Sequence, residues 1–422
     1  MIQHAVRVCL LLVAVLASST VAQTLPVGNP DDIGISAQRL ERLRDGMAAY
    51  AESGELSGGV TLVARRGQIA FLEAFGSRDI ESDSPMQTDS IFRIASHTKA
   101  VVSVAIMILQ ENGKLHINQP VSRYLPEFES TTVAIPETNG GYRVEPAQRQ
   151  ITIRDLLTHT SGISYGSGPA AEQWQSAGLQ GWYMAHHEEP IRDTVRRMAS
   201  LPFDAQPGER WVYGYSTDIL GAVVEVASGQ TLDQFLQEQI FIPLNMRDTH
   251  FFLPAEKHDR LATVYSAGTD GLVRAPDGSS MQSQGQYTDS SRQSLSGGAG
   301  LLSTAADYGR FLQMLLNGGE LDGARLLSPK TVDLMTSNHT GELPHFYAGN
   351  GFGLGFSIRQ DLGSQGTPGS VGEFSWLGAY HSIYWVDPQE ELVVVYLSQL
   401  IPAGSIDDHI KLRNLVYQAI IE

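Results

Sequence analysis

Two pairs of β-rich segments near opposite ends of the chain constrain its fold most strongly. The first pair, GGVTLVARR and QIAFLEAFG, meets at Arg66-Gly67, and the second pair, HSIYWVDP and ELVVVYLSQ, lies close to the C-terminus. Each pair has the short β-branched runs around turn residues that are typical of a β-hairpin. A helix is predicted from about Asp407, and Ser36 to Ser53 has the 3.6-residue period of an amphipathic helix. We therefore expect the two ends of the chain to share one sheet.

The long middle of the chain is predicted to be mainly helical, with long polar loops. The sequence thus favours an α+β fold, an antiparallel sheet flanked by helices plus a helical lobe, with the active site between the two. The 422 residues exceed the size at which a single undivided core is usual. We expect a sheet lobe from about 23–90 and 300–422 and a helical lobe of about 96–295.

Residues 1–22 have the pattern of a secretory signal peptide, which we expect to be removed. Arg7 supplies the positive charge, and the ten residues from Val8 to Ala17 form an apolar run that is too short to span a bilayer. The only cysteine, Cys9, lies in this segment. The mature chain, 23–422, is therefore predicted to hold no disulfide, to be exported to the periplasm or the extracellular space, and to have no membrane anchor.

The charge balance excludes several classes of partner. Loss of Arg7 leaves 28 of the 29 basic residues against 46 acidic ones, a formal net charge of −18 (28 − 46). Such a chain disfavours nucleic acid and anionic membranes as partners. The twelve histidines include no H-E-x-x-H spacing, which disfavours a metal hydrolase. We expect a small-molecule substrate and no metal or cofactor, and the sequence does not indicate an oligomeric state.

The stretch from Ile91 to Leu115 places Ser96 and Lys99 at the opening of a predicted buried helix. Residues three apart lie on one helical face with Cβ atoms roughly 5–6 Å apart, so the Lys99 amine can reach the Ser96 hydroxyl. Burial and the positive end of the helix both disfavour an ammonium, which favours a neutral amine able to take the serine proton. The simpler interpretation, in which Ser96 is a helix cap and Lys99 faces solvent, fits the bare motif as well, since this spacing is common by chance.

A second serine motif competes with the first. Gly162-Ile163-Ser164-Tyr165-Gly166 matches the G-x-S-x-G elbow of α/β-hydrolases, in which a strand precedes the serine and a helix follows it. Here a predicted helix ending in a turn precedes the serine, and a Gly-Ser-Gly-Pro run that begins at Gly166 follows it. We therefore favour Ser96 over Ser164 as a nucleophile and interpret His159 as a structural residue.

Five segments resemble, in order, successive blocks of the beta-lactamase-related serine hydrolases. This superfamily contains class C beta-lactamases, D,D-peptidases and family VIII carboxylesterases. The segments are IFRIASHTKA, ITIRDLLTHTSGISYG, WVYGYSTDILGAVVEVASGQTLDQFLQEQIFIPLNMRDTHF, GGAGLLSTAADYGRFLQMLLNGGELDGARLLSPKTVDLM and WLGAYHSIYWVDPQEELVVVYLSQ. The resemblance implies a beta-lactamase/penicillin-binding-protein-like fold and an acyl-enzyme mechanism.

The resemblance also implies further site residues. The catalytic tyrosine would be Tyr213. Tyr215 would border the substrate at the position where class C enzymes carry an asparagine. Two alternatives stay open for Tyr215: it is the catalytic phenol itself, or it is a packing residue. The Lys-Thr-Gly block of class C enzymes corresponds to Trp376-Leu377-Gly378, which is similar to the Trp-x-Gly of family VIII esterases. Trp376 would form an apolar wall for an acyl or alcohol group, or else be ordinary strand packing. Ala379 would supply one oxyanion N–H, and Ser96 the other.

The sequence thus predicts an exported serine hydrolase that cleaves carboxylic esters of short to medium acyl chain, closest to family VIII carboxylesterases. At most weak beta-lactam hydrolysis is expected, because the third block carries no cation for a lactam carboxylate. A class C-type beta-lactamase or D-amino-acid peptidase is the alternative within hydrolases. A non-catalytic penicillin- or cell-wall-binding relative is the alternative of another class, and the presence of both Ser96 and Lys99 disfavours it.

Overall fold

The structure is a computed structural model that describes residues 24–138, 140–289, 291 and 293–422. The predicted signal segment, residues 1–22, lies outside the described residues. Within the described ranges, no helix combines the length and the apolar character that crossing a bilayer requires.

An antiparallel sheet built from both ends of the chain organises the fold. The strands in the described ranges are β1 (Gly58–Arg65), β2 (Gln68–Asp79), β3 (Ser84–Pro85), β4 (Phe92–Arg93), β5 (Thr132–Pro136), β6 (Tyr142–Pro146), β7 (Tyr265–Gly268), β8 (Gly271–Arg274), β9 (Leu302–Ser303), β10 (Glu320–Leu321), β11 (Ala324–Arg325), β12 (Asn350–Phe352), β13 (Ser357–Arg359), β14 (Phe374–Gly378), β15 (Ser382–Asp387) and β16 (Leu392–Ser398). Eight of them form the main sheet in the order β12-β13-β14-β15-β16-β1-β2-β3, and the other strands pair as two-stranded ribbons.

The two predicted hairpins meet in the centre of this sheet. β1 pairs with β16, and Val60 lies opposite Leu397. At the turn between β1 and β2, Arg66 and Gly67 both have positive φ, 51° and 76°, as the favoured two-residue hairpin turn requires. The prediction that the chain ends share a sheet is therefore confirmed.

Helices cover both faces of the main sheet. The α-helices of the described ranges are α1 (Ala37–Glu52), α2 (Thr98–Glu111), α3 (Ile153–Leu157), α4 (Ala171–Ser176), α5 (Ile191–Met198), α6 (Ser216–Ser228), α7 (Leu232–Leu236), α8 (Ala305–Leu316), α9 (Pro329–Met335) and α10 (Asp408–Tyr417). On one face, called the outer face, α1 packs against α10 over a core that includes Leu43, Trp385 and Tyr396. On the inner face α8 packs on β1 and β16, in the larger core that also contains α2. This layered arrangement confirms the α+β prediction.

Helix α2 runs through the interior, and its residues from Thr98 to Leu109 are all buried. The predicted deep position is confirmed, and Ser96 and Lys99 lie at the opening of the helix as predicted. Strand β4 pairs with β9, and a 3-10 helix, Ala95–His97, then leads into α2. Ser96 therefore lies in the turn immediately before the α-helix, and Lys99 lies in the first turn of α2.

Candidate active site

Ser96 and Lys99 form a buried pair at the junction between the inner face of the sheet and the helical part of the chain. The Lys99 Nζ lies 3.1 Å from the Ser96 Oγ. Ser96 is 8% exposed and Lys99 is 2% exposed. Lys99 does not reach solvent, so the interpretation of the motif as a cap followed by a surface lysine is wrong.

Two further oxygen atoms hold the Lys99 amine in place. Its Nζ lies 2.7 Å from the Gly298 carbonyl oxygen and 3.0 Å from the Tyr165 hydroxyl. An ammonium fills all three contacts as a donor. A neutral amine keeps two N–H groups for the carbonyl and the phenol and directs its lone pair at the Ser96 hydroxyl, which is the arrangement that a general base requires.

Tyr165 is the site residue that the sequence interpretation missed. Burial, followed by the neighbouring Tyr213 and Asp218, raises the pKa of its phenol well above 10, so the group stays protonated. Its position inside the G-x-S-x-G motif was the only sequence feature that could have indicated a role, and that motif points to Ser164 instead. The Ser164 Oγ accepts hydrogen bonds from the N–H groups of Gly166 and Ser167, at 3.2 and 3.4 Å. That serine closes a turn.

Tyr213 lies beside the same amine. The Lys99 Nζ is 4.8 Å from the centre of the Tyr213 ring, and the Trp376 indole N–H donates to the Tyr213 hydroxyl oxygen at 3.0 Å. The ring of His159 packs on Tyr213 with centroids 4.8 Å apart. The structure thus brings Tyr213 and Trp376 to the Ser96–Lys99 pair.

Tyr215 does not border the site, which corrects the assignment of a substrate contact to it. The residue has no exposed surface, and its hydroxyl donates to the Gly181 carbonyl at 2.6 Å. Its ring stacks on Trp174 with centroids 5.8 Å apart. Tyr215 occupies the N-cap position of helix α6 without a side-chain capping bond, and its ring packs against that of Tyr165 with centroids 5.0 Å apart.

Strand β14 ends against the backbone that precedes Ser96. A Cβ atom on Gly378 would lie 2.8 Å from the Ile94 carbonyl oxygen and 3.5 Å from the His97 ring. Only glycine allows this approach, and the following N–H belongs to Ala379. The turn that carries Ala379 is fixed from the other side by a hydrogen bond of 2.7 Å between the His381 Nε2 and the Asp408 carboxylate.

A buried carboxyl group positions the carbonyl that contacts Lys99. The Asp218 Oδ1 accepts from the Ser296 hydroxyl at 2.6 Å and from the Gly298 N–H at 3.0 Å. Burial raises the pKa of Asp218, whereas the Lys99 charge and these hydrogen bonds lower it. A Cβ on Gly298 would lie 2.4 Å from the Asp218 Oδ2, so the segment needs glycine there. This contact joins residues 80 positions apart in the chain, so local sequence patterns do not predict it.

Aromatic rings form the mouth of the site. Trp211 stacks on Tyr213 with centroids 5.7 Å apart, and Phe346 meets Trp211 edge-on at 4.6 Å. Trp376 lies 5.2 Å from Tyr213 and 6.4 Å from Phe346. Phe346 remains 63% exposed. This aromatic mouth, formed by Trp211, Tyr213, Phe346 and Trp376, presents an apolar surface next to the Ser96 hydroxyl.

Comparisons with known proteins agree with this geometry. A sequence model of the family described as Beta-lactamase matches residues 42–416. An uncharacterised protein of Mycobacterium tuberculosis is 37% identical over 374 residues, which cover 84% of this chain and 89% of that protein. Esterase EstB of Burkholderia gladioli is 31% identical over 424 residues, which cover 94% of this chain and 99% of the esterase. The solved structure of EstCE1, described as a hydrolase with promiscuous acyltransferase activity, has a TM-score of 0.77 at 28% identity and covers 90% of this chain and 99% of that chain. The predicted fold and the resemblance to esterases of this superfamily are confirmed.

Proposed function

Because this chain belongs to the beta-lactamase family and is a serine hydrolase of that fold, we propose that it hydrolyses carboxylic esters of short to medium acyl chain through an acyl-enzyme on Ser96. The observation that carries the proposal is the buried contact of 3.1 Å between the Lys99 amine and the Ser96 hydroxyl. A serine becomes a useful nucleophile when a base lies within hydrogen-bond reach, and Lys99 meets that condition.

The proposed acylation step moves one proton and exchanges one bond. The Ser96 Oγ attacks the ester carbonyl while its proton passes to the Lys99 Nζ, and the carbonyl oxygen becomes an oxyanion. The N–H groups of Ser96 and Ala379 are the proposed donors to that oxyanion. When the carbonyl re-forms, the bond to the alcohol oxygen breaks and that oxygen takes a proton. Water then attacks the acyl-enzyme by the reverse route and releases the acid.

The leaving alcohol needs a proton donor on its own side of the carbonyl. Tyr213 is the proposed donor, with its phenol re-protonated from Lys99, and the Trp376 indole N–H supports it by donating to the phenol oxygen. Tyr165 holds the amine from the other side. Its raised pKa keeps it a neutral partner, so its proposed role is to orient Lys99.

Trp376 and the rest of the aromatic mouth support esters over beta-lactams as substrates. Beta-lactam antibiotics carry a carboxylate beside the scissile amide, and an indole cannot pair with that charge. A carboxylate that enters a partly desolvated cleft without a partner loses binding energy. An ester with an apolar acyl or alcohol group has no such cost, and aromatic rings favour it.

A rate panel tests this substrate class. The purified enzyme is given p-nitrophenyl esters of two to twelve carbons, nitrocefin and a D-Ala-D-Ala peptide, and kcat/KM is measured for each. The proposal expects short and medium esters to exceed nitrocefin by orders of magnitude and the peptide to be inert. Turnover of nitrocefin as fast as p-nitrophenyl butyrate would contradict it.

Acyl transfer to a small alcohol is a second candidate, which the apolar surface of the aromatic mouth favours. A bound alcohol would attack the acyl-enzyme in place of water, through the same base. Addition of benzyl alcohol to p-nitrophenyl butyrate tests this candidate, which predicts benzyl butyrate among the products. Butyric acid as the only acyl product, with no benzyl butyrate, would contradict it.

We also propose that the enzyme acts after export, because residues 1–22 carry the signal pattern. Mass measurement of the protein secreted by an expressing cell tests this proposal, and the expected N-terminus lies just after Ala22. A full-length product retained inside the cell would contradict it.

A further inference from the structure

A second cavity lies on the opposite face of strand β14 from the Ser96 site. It has a volume of about 310 Å³, lies between helix α10 and the outer face of β13, β14 and β15, and opens to solvent. Side chains alternate along a strand, so Trp376 points to the active site while Ser375 and Leu377 point to this cavity. Its size is at the lower end of the range for small-molecule sites.

One end of the cavity holds a buried cation that lacks an anionic partner. Arg359 donates to the carbonyl oxygens of Leu362, Pro368 and Thr367 at 3.3, 3.1 and 2.5 Å. Within the described ranges, its guanidinium has no ion pair with a carboxylate, and its Nε has no hydrogen-bond partner. A buried charge without a counter-ion and a buried N–H without an acceptor both raise the free energy of the folded protein.

The nearby carboxylate, Glu373, is shared between two cations: burial raises its pKa, and the charges of Arg413 and, more weakly, Arg359 lower it. Glu373 forms an ion pair with Arg413, and it also accepts from the Tyr417 hydroxyl at 3.0 Å. A Cβ on Gly369 would lie 2.5 Å from a nitrogen of Arg359, 2.5 Å from one of Arg413 and 2.6 Å from an oxygen of Glu373. Two guanidinium groups and one carboxylate therefore meet at one point, with a net charge of +1.

The rest of the cavity is lined by both aliphatic and polar side chains, and the aliphatic ones are Leu377, Ile383, Ile406 and Ile410. The opposite end carries the Asp407 carboxyl group, which the Tyr50 hydroxyl contacts at 2.5 Å. Asp407 is the N-cap residue of helix α10 and lies six residues before Arg413, which corresponds to about 9 Å along the helix axis. His409 also lines the cavity, and its buried Nε2 has no partner within the described ranges.

We propose that this cavity is a second binding site, for a monocarboxylate that carries a short hydrocarbon chain. The carboxylate pairs with Arg359, and the chain lies between Leu377 and Ile410. The charges fix the orientation, because Asp407 repels a carboxylate from the far end. The proposed ligand contacts, Arg359, Leu377 and Ile410, do not include Ser96, Lys99 or Tyr213. Trp376 lies between the two sites, because it lines this cavity while its indole N–H donates to Tyr213.

Calorimetric titration with sodium hexanoate and with hexanamide tests the proposal on the intact mature protein. The two probes have nearly the same shape and differ in charge. A charge-assisted contact to a buried arginine predicts that hexanoate binds roughly tenfold or more tightly than hexanamide. Equal affinities for the two probes would overturn the proposal.

Variants on the surface of α10 locate the binding. Ile410 is 56% exposed, so Ile410→Trp fills the cavity from its rim with little risk to folding, and Ile410→Asp places a repelling charge there. Both should weaken hexanoate binding at least roughly tenfold, as judged from the charge and volume they add. Ile421→Trp is the matched control, because Ile421 is 49% exposed and lies outside the cavity. Unchanged hexanoate binding in both Ile410 variants, with native circular dichroism, would place the acid elsewhere and overturn the proposal.

Discussion

Ser96 and Ser164 lie in two short hydrolase motifs and are buried to nearly the same degree, 8% and 7% exposed. Their hydrogen bonds separate them. The Ser96 hydroxyl faces an amine that can take its proton, whereas the Ser164 oxygen accepts two backbone N–H groups. The titratable neighbour of Ser164 is the Asp204 carboxyl, whose pKa is raised by burial and lowered by that serine. Exposure therefore does not identify the nucleophile, and the base beside the hydroxyl does.

Removing each hydroxyl in turn should produce the largest contrast. Ser96→Ala should lower kcat for p-nitrophenyl butyrate by about 10⁴-fold or more, because the nucleophile and the base act as one unit. Ser164→Ala should keep activity within a few-fold and cost about 1 kcal/mol in the free energy of unfolding from the lost turn contacts. Steady-state kinetics and urea unfolding measure the two effects. If the Ser164 variant loses activity while its fold is intact, the assignment of Ser96 over Ser164 as the nucleophile is wrong.

The two tyrosines that contact Lys99, Tyr165 and Tyr213, should differ from Tyr215 in the same way. Tyr213→Phe and Lys99→Ala should each lower kcat by about 10²- to 10⁴-fold with a smaller change in KM, because proton transfer occurs in the transition state. Tyr165→Phe should also lower kcat, by less, since it removes one contact that orients the amine. Tyr215→Phe is the matched control and should leave kcat nearly unchanged. If Tyr215→Phe lost activity while Tyr213→Phe kept it, the catalytic phenol would be Tyr215 and not Tyr213.

A histidine adjacent to the nucleophile should make stability depend on pH. Burial lowers the pKa of His97 from 6.5 to about 3. The unfolded chain therefore binds the proton first as pH falls, and stability is lost from about pH 6.5 down to about pH 3. Between pH 7 and pH 5 this single group accounts for about 2 kcal/mol of the loss.

Urea unfolding of a His97→Phe variant checks this linkage. The aromatic replacement keeps the packing against Tyr308 and Tyr384, whose ring centroids lie 5.1 and 4.9 Å from that of His97. The variant should lose about 2 kcal/mol less stability than the parent between pH 7 and pH 5. His116→Phe, at an exposed histidine, is the control. A pH dependence that His97→Phe leaves unchanged would argue against a buried, neutral His97.

The smallest expected effect concerns the aromatic mouth, which Ser96 has beside it and Ser164 lacks. Phe346→Ala should raise KM for aryl esters by roughly 2- to 10-fold, the magnitude of one aromatic contact, and should change kcat less. Phe346→Leu retains an apolar side chain, so its KM should lie between those of the parent enzyme and Phe346→Ala. If Phe346→Ala lowers kcat alone, with KM unchanged, this residue does not bind the substrate.

Local patterns explain what could be predicted from the sequence. The hairpin of β1 and β2 follows from two β-rich runs around Arg66-Gly67, and the Ser96–Lys99 contact follows from residues three apart in a helical turn. Both features depend only on residues that are close together in the sequence. Tyr165 and Gly298 lie 66 and 199 residues away from Lys99 along the chain, so their contacts depend on tertiary packing that periodicity does not encode.

Tyr215 illustrates the same limit. Tyr213 and Tyr215 are two residues apart in one block, and the sequence offered both as site residues. The structure separates them because Tyr213 precedes helix α6 with its ring against Trp376, whereas Tyr215 occupies the N-cap position of that helix and is buried against Trp174. Ser96 and Lys99 were predicted at the opening of the helix, and the structure adds that a 3-10 turn, Ala95–His97, leads into the α-helix.

The nucleophile can be identified most directly by trapping the acyl-enzyme. The enzyme is mixed with p-nitrophenyl butyrate, quenched in acid during the burst phase, digested and mapped by mass spectrometry. The account predicts a butyryl group on Ser96, in the peptide that contains residues 94–99, and its absence in a Lys99→Ala variant. A butyryl group on Ser164, or on any residue other than Ser96, would contradict it.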